Sequence, residues 1–175
     1  MAYLLDADVF ISAKNLHYGF DFCPAFWDWL VREHKAGKLF SVERVRDELL
    51  AGKDDLAQWV AGLPAGFFLR PDAATEPALR TIAEWVNSHP NYGPAAEASF
   101  LGSADYYLVA HALAGGHVLV THEQPANSKT RVKIPNVCLG VGVEYITPFE
   151  MLRQEQARFI LGGASTPCAK QAESP

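Results

Sequence analysis

Cysteine is scarce in this chain and badly placed to organise a structure. Cys23, Cys138 and Cys168 are odd in number, far apart and without Cys-x-x-Cys or Cys/His ligand spacing. That excludes a disulfide framework and a structural zinc site. They are read as reduced thiols, with Cys23 and Cys138 in the core and Cys168 in a tail. Long apolar runs are also lacking: no stretch reaches the about 18 residues of a membrane span. The opening Met1-Ala2-Tyr3-Leu4-Leu5-Asp6 has no basic segment and no long apolar stretch of the kind a signal peptide needs. A cytoplasmic location without membrane association is therefore expected. A surplus of positive charge is missing too. The formal net charge of -5 argues against simple electrostatic adhesion to nucleic acid or to an anionic membrane. It does not exclude action on nucleic acid, because bound divalent cations invert the local sign of an acidic site.

What the chain has is enough apolar material for one core. Its 175 residues are 49% hydrophobic and 20% charged, which suits a single compact domain and is short for two. That domain is expected over residues 1–161. From 162 to 175 Gly, Ser, Ala and Pro replace any apolar period, and a disordered tail is expected. No internal repeat is visible.

Tyr3-Leu4-Leu5 reads as a short buried strand ending at Asp6, after which Val9, Phe10 and Ala13 fall at helical spacing. Lys14 to Pro24 reads as a structured, aromatic-rich loop. A helix from about Ala25 to Lys35 follows, striped by Phe26, Trp27, Leu30 and Val31. Leu39-Phe40-Ser41 predicts a second strand, Val42 to Leu50 a helix, Asp54 the cap of another, Phe67-Phe68-Leu69 a strand, and Glu76 to Asn87 a helix. Ser88-His89-Pro90-Asn91-Tyr92-Gly93-Pro94 is the strongest breaker and reads as a loop near the site. Ser103 caps a predicted helix from Ala104 to Ala114, stopped by Gly115-Gly116, and His117 to Thr121 is the clearest buried strand. Val137-Cys138-Leu139 predicts another strand, and Pro148 opens a last helix to about Leu161. Strands alternating with helices predict an α/β fold with a parallel sheet covered on both faces. Ligands of such sheets gather beyond the carboxyl ends of the strands.

Four separated acids stand where that rule points. Asp6 follows the first strand, with Asp8 in the same turn; the alternative for both is capping of the next helix. Glu48 shares a helix face with Val45 and Leu49 and so tends toward the core, where a carboxylate needs a partner; the alternative is a boundary residue reaching water. Asp105 lies in a first helical turn with Leu108, Val109 and Ala112 on the same stripe, a place the helix dipole also favours for purely structural reasons. Glu123 comes two residues after Thr121, past the clearest strand. If these groups meet within about 5 Å, their repulsion is several kcal/mol at an effective dielectric of about 20, so protons or a cation must occupy the cluster. All-oxygen donors favour Mg²⁺ or Mn²⁺ over zinc.

The segments Leu4-Leu5-Asp6-Ala7-Asp8-Val9-Phe10-Ile11, Arg46-Asp47-Glu48-Leu49, Ala104-Asp105-Tyr106-Tyr107-Leu108-Val109-Ala110 and Val118-Leu119-Val120-Thr121-His122-Glu123 resemble, in that order and spacing, the four acidic motifs of PIN-domain nucleases. That family includes the toxin ribonucleases of bacterial toxin-antitoxin pairs. The resemblance covers roughly residues 2 to 150. It implies a Rossmann-like α/β/α sandwich with a central, mainly parallel sheet, in which Asp6, Glu48, Asp105 and Glu123 hold one or two Mg²⁺ or Mn²⁺ ions. The implied activity is endoribonucleolytic, giving a 5′-phosphate and a 3′-hydroxyl. The family often has Asn or Ser where this chain has Asp8, which adds a ligand candidate, and often Asp where it has Glu123. Thr121 matches a small hydroxyl residue frequent before the fourth acid. A cognate antitoxin and a homodimer are the partners the resemblance implies.

For substrate, Thr121 and the basic loop cluster Lys129, Arg131 and Lys133 are the candidate contacts, with Lys14 a further cation near the first turn. A solvated loop is the alternative for the cluster. Tyr18, Phe20, Phe22, Phe26, Trp27 and Trp29 fit either base stacking or the core. Two other functions stay open. Leu5-Asp6-Ala7-Asp8 imitates the Asp-x-Asp of haloacid-dehalogenase-like phosphatases, although Asp105 opens a helix where that fold wants a late strand ending in acids. A catalytically silent PIN-like module that binds RNA or protein is the second.

Overall fold

The structure is a computed structural model and describes residues 1–160. Its centre is a five-stranded, all-parallel sheet in the order β3-β2-β1-β4-β5. The strands are β1 (Tyr3–Leu5), β2 (Leu39–Val42), β3 (Phe68–Leu69), β4 (Val118–Val120) and β5 (Tyr145–Ile146). The three central strands carry the core, with Leu4, Leu5, Leu39, Leu119 and Val120 fully enclosed, while the edge strands β3 and β5 are half-buried. Helices cover both faces, giving a three-layer, Rossmann-like α/β/α sandwich. No helix among the described residues is long and apolar enough to cross a membrane.

β1 lies between β2 and β4, and its register pairs Leu5 with Val120 and Leu4 with Phe40. The chain moves one way from β1 to β2 and β3 and the other way from β4 to β5. β1 and β4 therefore flank the topological switch point, where open parallel sheets form a crevice beyond their carboxyl ends. The Ser41 hydroxyl, buried in β2, donates to the Leu5 carbonyl at 2.7 Å and fixes the last residue before that crevice.

Helix α1 (Ala7–Ser12) runs into a π-helical turn (Ala13–His17), and α2 (Pro24–Lys35) follows with proline in its first turn. The aromatic set packs here. Phe26, Trp27 and Trp29 are buried, Tyr18 stacks on Phe26 at 4.3 Å and Phe20 on Trp27 at 4.1 Å. Core packing, not base stacking, therefore accounts for all of that set except the exposed Phe22. Helix α3 (Glu43–Ala51) is followed by α4 (Asp55–Ala61), which Asp54 caps as predicted, its carboxylate accepting from Ala57 N–H at 3.0 Å. Lys14 pairs with Asp54 and Asp55 at 2.5 and 2.8 Å, so it ties the π turn to α4 and is not a free cation.

Helix α5 (Thr75–Ser88) precedes the breaker, but the breaker ends sooner than predicted. Pro94 opens α6 (Pro94–Leu101), and α7 (Ala104–Gly115) stops at Gly116, whose φ of 60° is the left-handed geometry that ends a helix. The predicted strand Val137-Cys138-Leu139 is instead the middle of α8 (Ile134–Val141). Ile134, Val137 and Cys138 are buried at helical spacing while Leu139 is exposed. Gly140 of α8 lies directly under the Trp85 ring of α5, where a Cβ would collide with the indole. The last helix, α9 (Pro148–Gln154), is shorter than predicted and carries a capping box between Thr147 and Glu150. Cys138 is buried and its thiol is pushed up to about 12 by burial, so it is inert; Cys23 is only half-buried. The predicted tail and Cys168 lie outside the described residues.

Candidate functional site

The switch-point crevice is where the acids arrive. Asp6 follows β1 directly, held by its own N–H donating to the Val120 carbonyl at 3.0 Å. It occupies the N-cap position of α1, yet its side chain makes no cap hydrogen bond. Its Oδ2 accepts instead from the Thr121 hydroxyl at 2.8 Å. Asp6 is 5% exposed and Thr121 1%. Thr121, expected as a substrate contact, is buried here and spends its hydroxyl on orienting the Asp6 carboxylate. The pair locks the end of β1 to the end of β4.

Asp105, half-buried, reaches the same crevice from the first turn of α7. Ser103 stands at the N-cap position as predicted but donates to the Phe100 carbonyl at 2.7 Å, leaving the helix without a side-chain cap. Burial pushes the Asp6 carboxyl up to about 7; the Asp105 charge adds to that, Thr121 opposes it and Glu123 adds a little more. Loss of water likewise pushes Asp105 up to about 6, reinforced by Glu123 and Glu48 and opposed by Arg131 and Lys133. Asp105 thus feels the charges of both Glu123 and Glu48, and Asp6 those of Asp105 and Glu123, although the four acids come from separate parts of the chain.

Their states differ. Glu48 is exposed, not core-facing as its stripe suggested, and stands on the rim of α3, close enough to Asp105 to raise it. Asp8 is half-buried and accepts from the Ser12 hydroxyl at 2.8 Å, one turn along α1. Glu123, with its side chain 11% exposed, is saturated: Oε1 accepts from Arg131 Nη2 at 2.9 Å and Lys133 Nζ at 2.6 Å, and Oε2 from the Ile134 N–H at 3.0 Å. Arg131 and Lys133 are accordingly counter-ions of Glu123, and the Arg131 side chain is otherwise 65% exposed. Lys129 is exposed.

This clamp yields a first prediction. Glu123→Ala leaves two cations facing each other and an unpaired N–H at the start of α8, so a loss of about 2 kcal/mol is expected in urea denaturation. An unchanged midpoint would show that the clamp holds nothing.

As the side chains stand, no group of three or more His, Cys, Asp or Glu among the described residues is arranged to hold a metal ion. The donor chemistry nevertheless fits a hard cation. Asp6 and Asp105 are carboxylates drawn out of water and in no ion pair among the described residues, and each is held from ionising chiefly by burial, with the neighbouring acids adding to it. Mg²⁺ is commonly bound through only one or two carboxylates, with water for the rest. A cavity of about 320 Å³ opens on Asp105, walled by Ser99 and Ser103 on one side and Thr130 and Arg131 on the other. Sequence reading missed α6, which builds the first wall. Pro94 at a helix start, followed by Ala-Ala-Glu-Ala, was the signal that would have found it.

A three-layer α/β protein with a carboxylate pocket at its switch point is the class these features define. Residues 3–159 match the family described as a domain of unknown function, DUF4411, and the chain belongs to that family. The match spans all five strands and all four acids. No curated protein and no solved structure matches the chain.

Proposed function

We propose that this chain is a Mg²⁺- or Mn²⁺-dependent endoribonuclease of the PIN kind, acting as the toxin of a toxin-antitoxin pair. The observation that carries the reading is the approach of Asp6 and Asp105 at the switch point, both drawn out of water and both harder to ionise than an ordinary Asp, with an open cavity beside Asp105. The resemblance of the four acidic segments to PIN-domain nucleases supplies the reaction.

Asp6 and Asp105 would hold the ion. When bound, Mg²⁺ or Mn²⁺ supplies Lewis acidity toward a phosphodiester and toward water. Thr121 fixes Asp6 Oδ2, so one carboxylate is pre-oriented before any ligand arrives. Glu48, exposed and close enough to raise the Asp105 carboxyl, would orient water and take up its proton. Arg131, 65% exposed beyond its bond to Glu123, offers its remaining donors to a phosphate entering beside Asp105. Glu123 acts on the site through Arg131 and Lys133, and Lys129 adds an exposed charge on the same loop. The products would be a 5′-phosphate and a 3′-hydroxyl. A cognate antitoxin would cover the acidic crevice, and a homodimer is part of the same reading.

The test is a titration of Mg²⁺ and of Mn²⁺ on end-labelled RNA with EDTA as control. Internal cuts that appear with metal and vanish with EDTA are expected. Binding without cleavage at every metal concentration, or cleavage that EDTA leaves intact, would overturn the proposal.

A further inference from the structure

A second cavity, of about 350 Å³, lies along the same two stretches of chain as the one at Asp105. His89, Asn91 and Tyr92 wall the second cavity, and α6 just after them walls the first; Asn127 and Ser128 line the second, and Thr130 and Arg131 the first. The two stretches are joined between the cavities, where the Gly93 N–H donates to the Lys129 carbonyl at 3.4 Å.

The lining chemistry is distinctive. No Asp, Glu, Lys or Arg contributes to it, whereas Asn91, Asn127 and Asn136 bring three amides and Ser128 a hydroxyl. A phosphate site would call for cations, and a site for an aliphatic group would lack this density of amides. Each amide offers donors and an acceptor, the complement of a Watson–Crick edge. One wall is also aromatic: His89 and the buried Tyr92 stack on each other with centroids 4.4 Å apart and planes at 24°, and both line the cavity. Asn136 is fixed, its Oδ1 accepting from the Ala126 N–H at 3.0 Å, so its NH₂ is oriented before a ligand arrives. The volume lies within the range of small-ligand sites, about 300 to 1,000 Å³.

We infer that this cavity takes one unstacked nucleobase of a single-stranded RNA, next to the phosphate at Asp105, and sets where the chain is cut. Single-stranded RNA is read in this way, by bases splayed onto aromatic side chains and hydrogen-bonded along their edges. The inference rests on the nuclease reading for the cut, but not for the binding of the base.

The test measures binding of the four homotetraribonucleotides in EDTA, and maps the cuts in a mixed-sequence RNA with metal. One base is expected to bind at least about ten-fold more tightly than the weakest. That preference should disappear in Asn127→Ala and in Asn91→Ala, both exposed residues whose loss leaves the core untouched. It should persist in Asn87→Ala, an exposed amide of α5 outside the cavity. A base preference that these variants erase, in a protein that never cuts, supports the pocket and removes the nuclease reading. Cutting with the same base preference in wild type and both pocket variants removes the pocket and leaves the nuclease. Equal binding of all four tetranucleotides, or displacement of the best one by a simple sugar, also overturns the inference.

Discussion

Asn in place of Asp6, or of Asp105, is expected to lower metal-dependent RNA cleavage by at least about 100-fold while the purified protein stays folded. Loss of groups that merely support metal ligands costs about 10- to 100-fold, and these two would be the ligands themselves. The exchange is nearly isosteric. In Asp6→Asn the new amide oxygen could still accept from Thr121, whose hydroxyl now meets Asp6 at 2.8 Å, so the link between β1 and β4 survives. What vanishes is the charge. Glu48→Gln should behave differently, because Glu48 is exposed on the rim and acts on water. Its expected signature is a fall in turnover with metal affinity little changed. Initial rates on labelled RNA, metal binding by calorimetry and a circular dichroism spectrum for each variant separate these cases. Full activity in purified Asp6→Asn or Asp105→Asn would remove the assignment.

The parts of this picture legible in the sequence were those with a strong local signature. Tyr3-Leu4-Leu5 and Val118-Leu119-Val120 are uninterrupted apolar runs that each end at a polar residue, Asp6 and Thr121, the mark of buried strands, and both are strands. The acids after them could be placed because a strand's end is a definite position. Val137-Cys138-Leu139 misled for a physical reason: three apolar residues carry no period, so a buried strand and one turn of a buried helix look alike. The deciding features lay outside the run, in Pro135 within the first turn and in Gly142, whose φ of 76° closes the helix. β5, only Tyr145–Ile146, was too short to announce itself.

Glu48 misled by geometry. At about 100° per residue it falls beyond the edge of the stripe that Val45 and Leu49 bury, and that angle brings it to the crevice rim instead of the core. The clamp on Glu123 was out of reach altogether. Arg131, Lys133 and the Ile134 N–H return to it through an irregular loop, and no periodicity encodes such a return. The sequence thus supplied the acids and their elements, while the division between two carboxylates short of counter-charge and one saturated carboxylate needed the fold.

That division predicts a large effect of pH on the metal-free protein. An Asp in an unfolded chain titrates at about 3.9; Asp6 in the fold titrates at about 7 and Asp105 at about 6. Between these values the folded protein holds protons that the unfolded chain has released. Stability contributed by this pair must therefore fall as pH rises from about 4 to about 7 and stay low above that. About three pKa units for Asp6 correspond to roughly 4 kcal/mol, a large share of a typical total of about 5 to 15. Because the two carboxyls interact, the Asp105 contribution does not simply add. His111, His117 and His122 oppose this slope, since burial lowers all three and a neutral buried histidine loses stability as pH falls. Wild type alone would mix the two trends, so the informative quantity is its difference from Asp6→Asn. In EDTA the variant should match wild type near pH 4 and exceed it by up to roughly 4 kcal/mol at about pH 8. Mg²⁺ or Mn²⁺ should then narrow the gap by stabilising only the wild type, by about 2.7 kcal/mol at a hundred times its Kd. Urea denaturation at several pH values, with and without metal, measures all of this. A variant no more stable than wild type at that alkaline end would mean that the buried charge already has a partner, and a pocket already neutralised has no call for a cation.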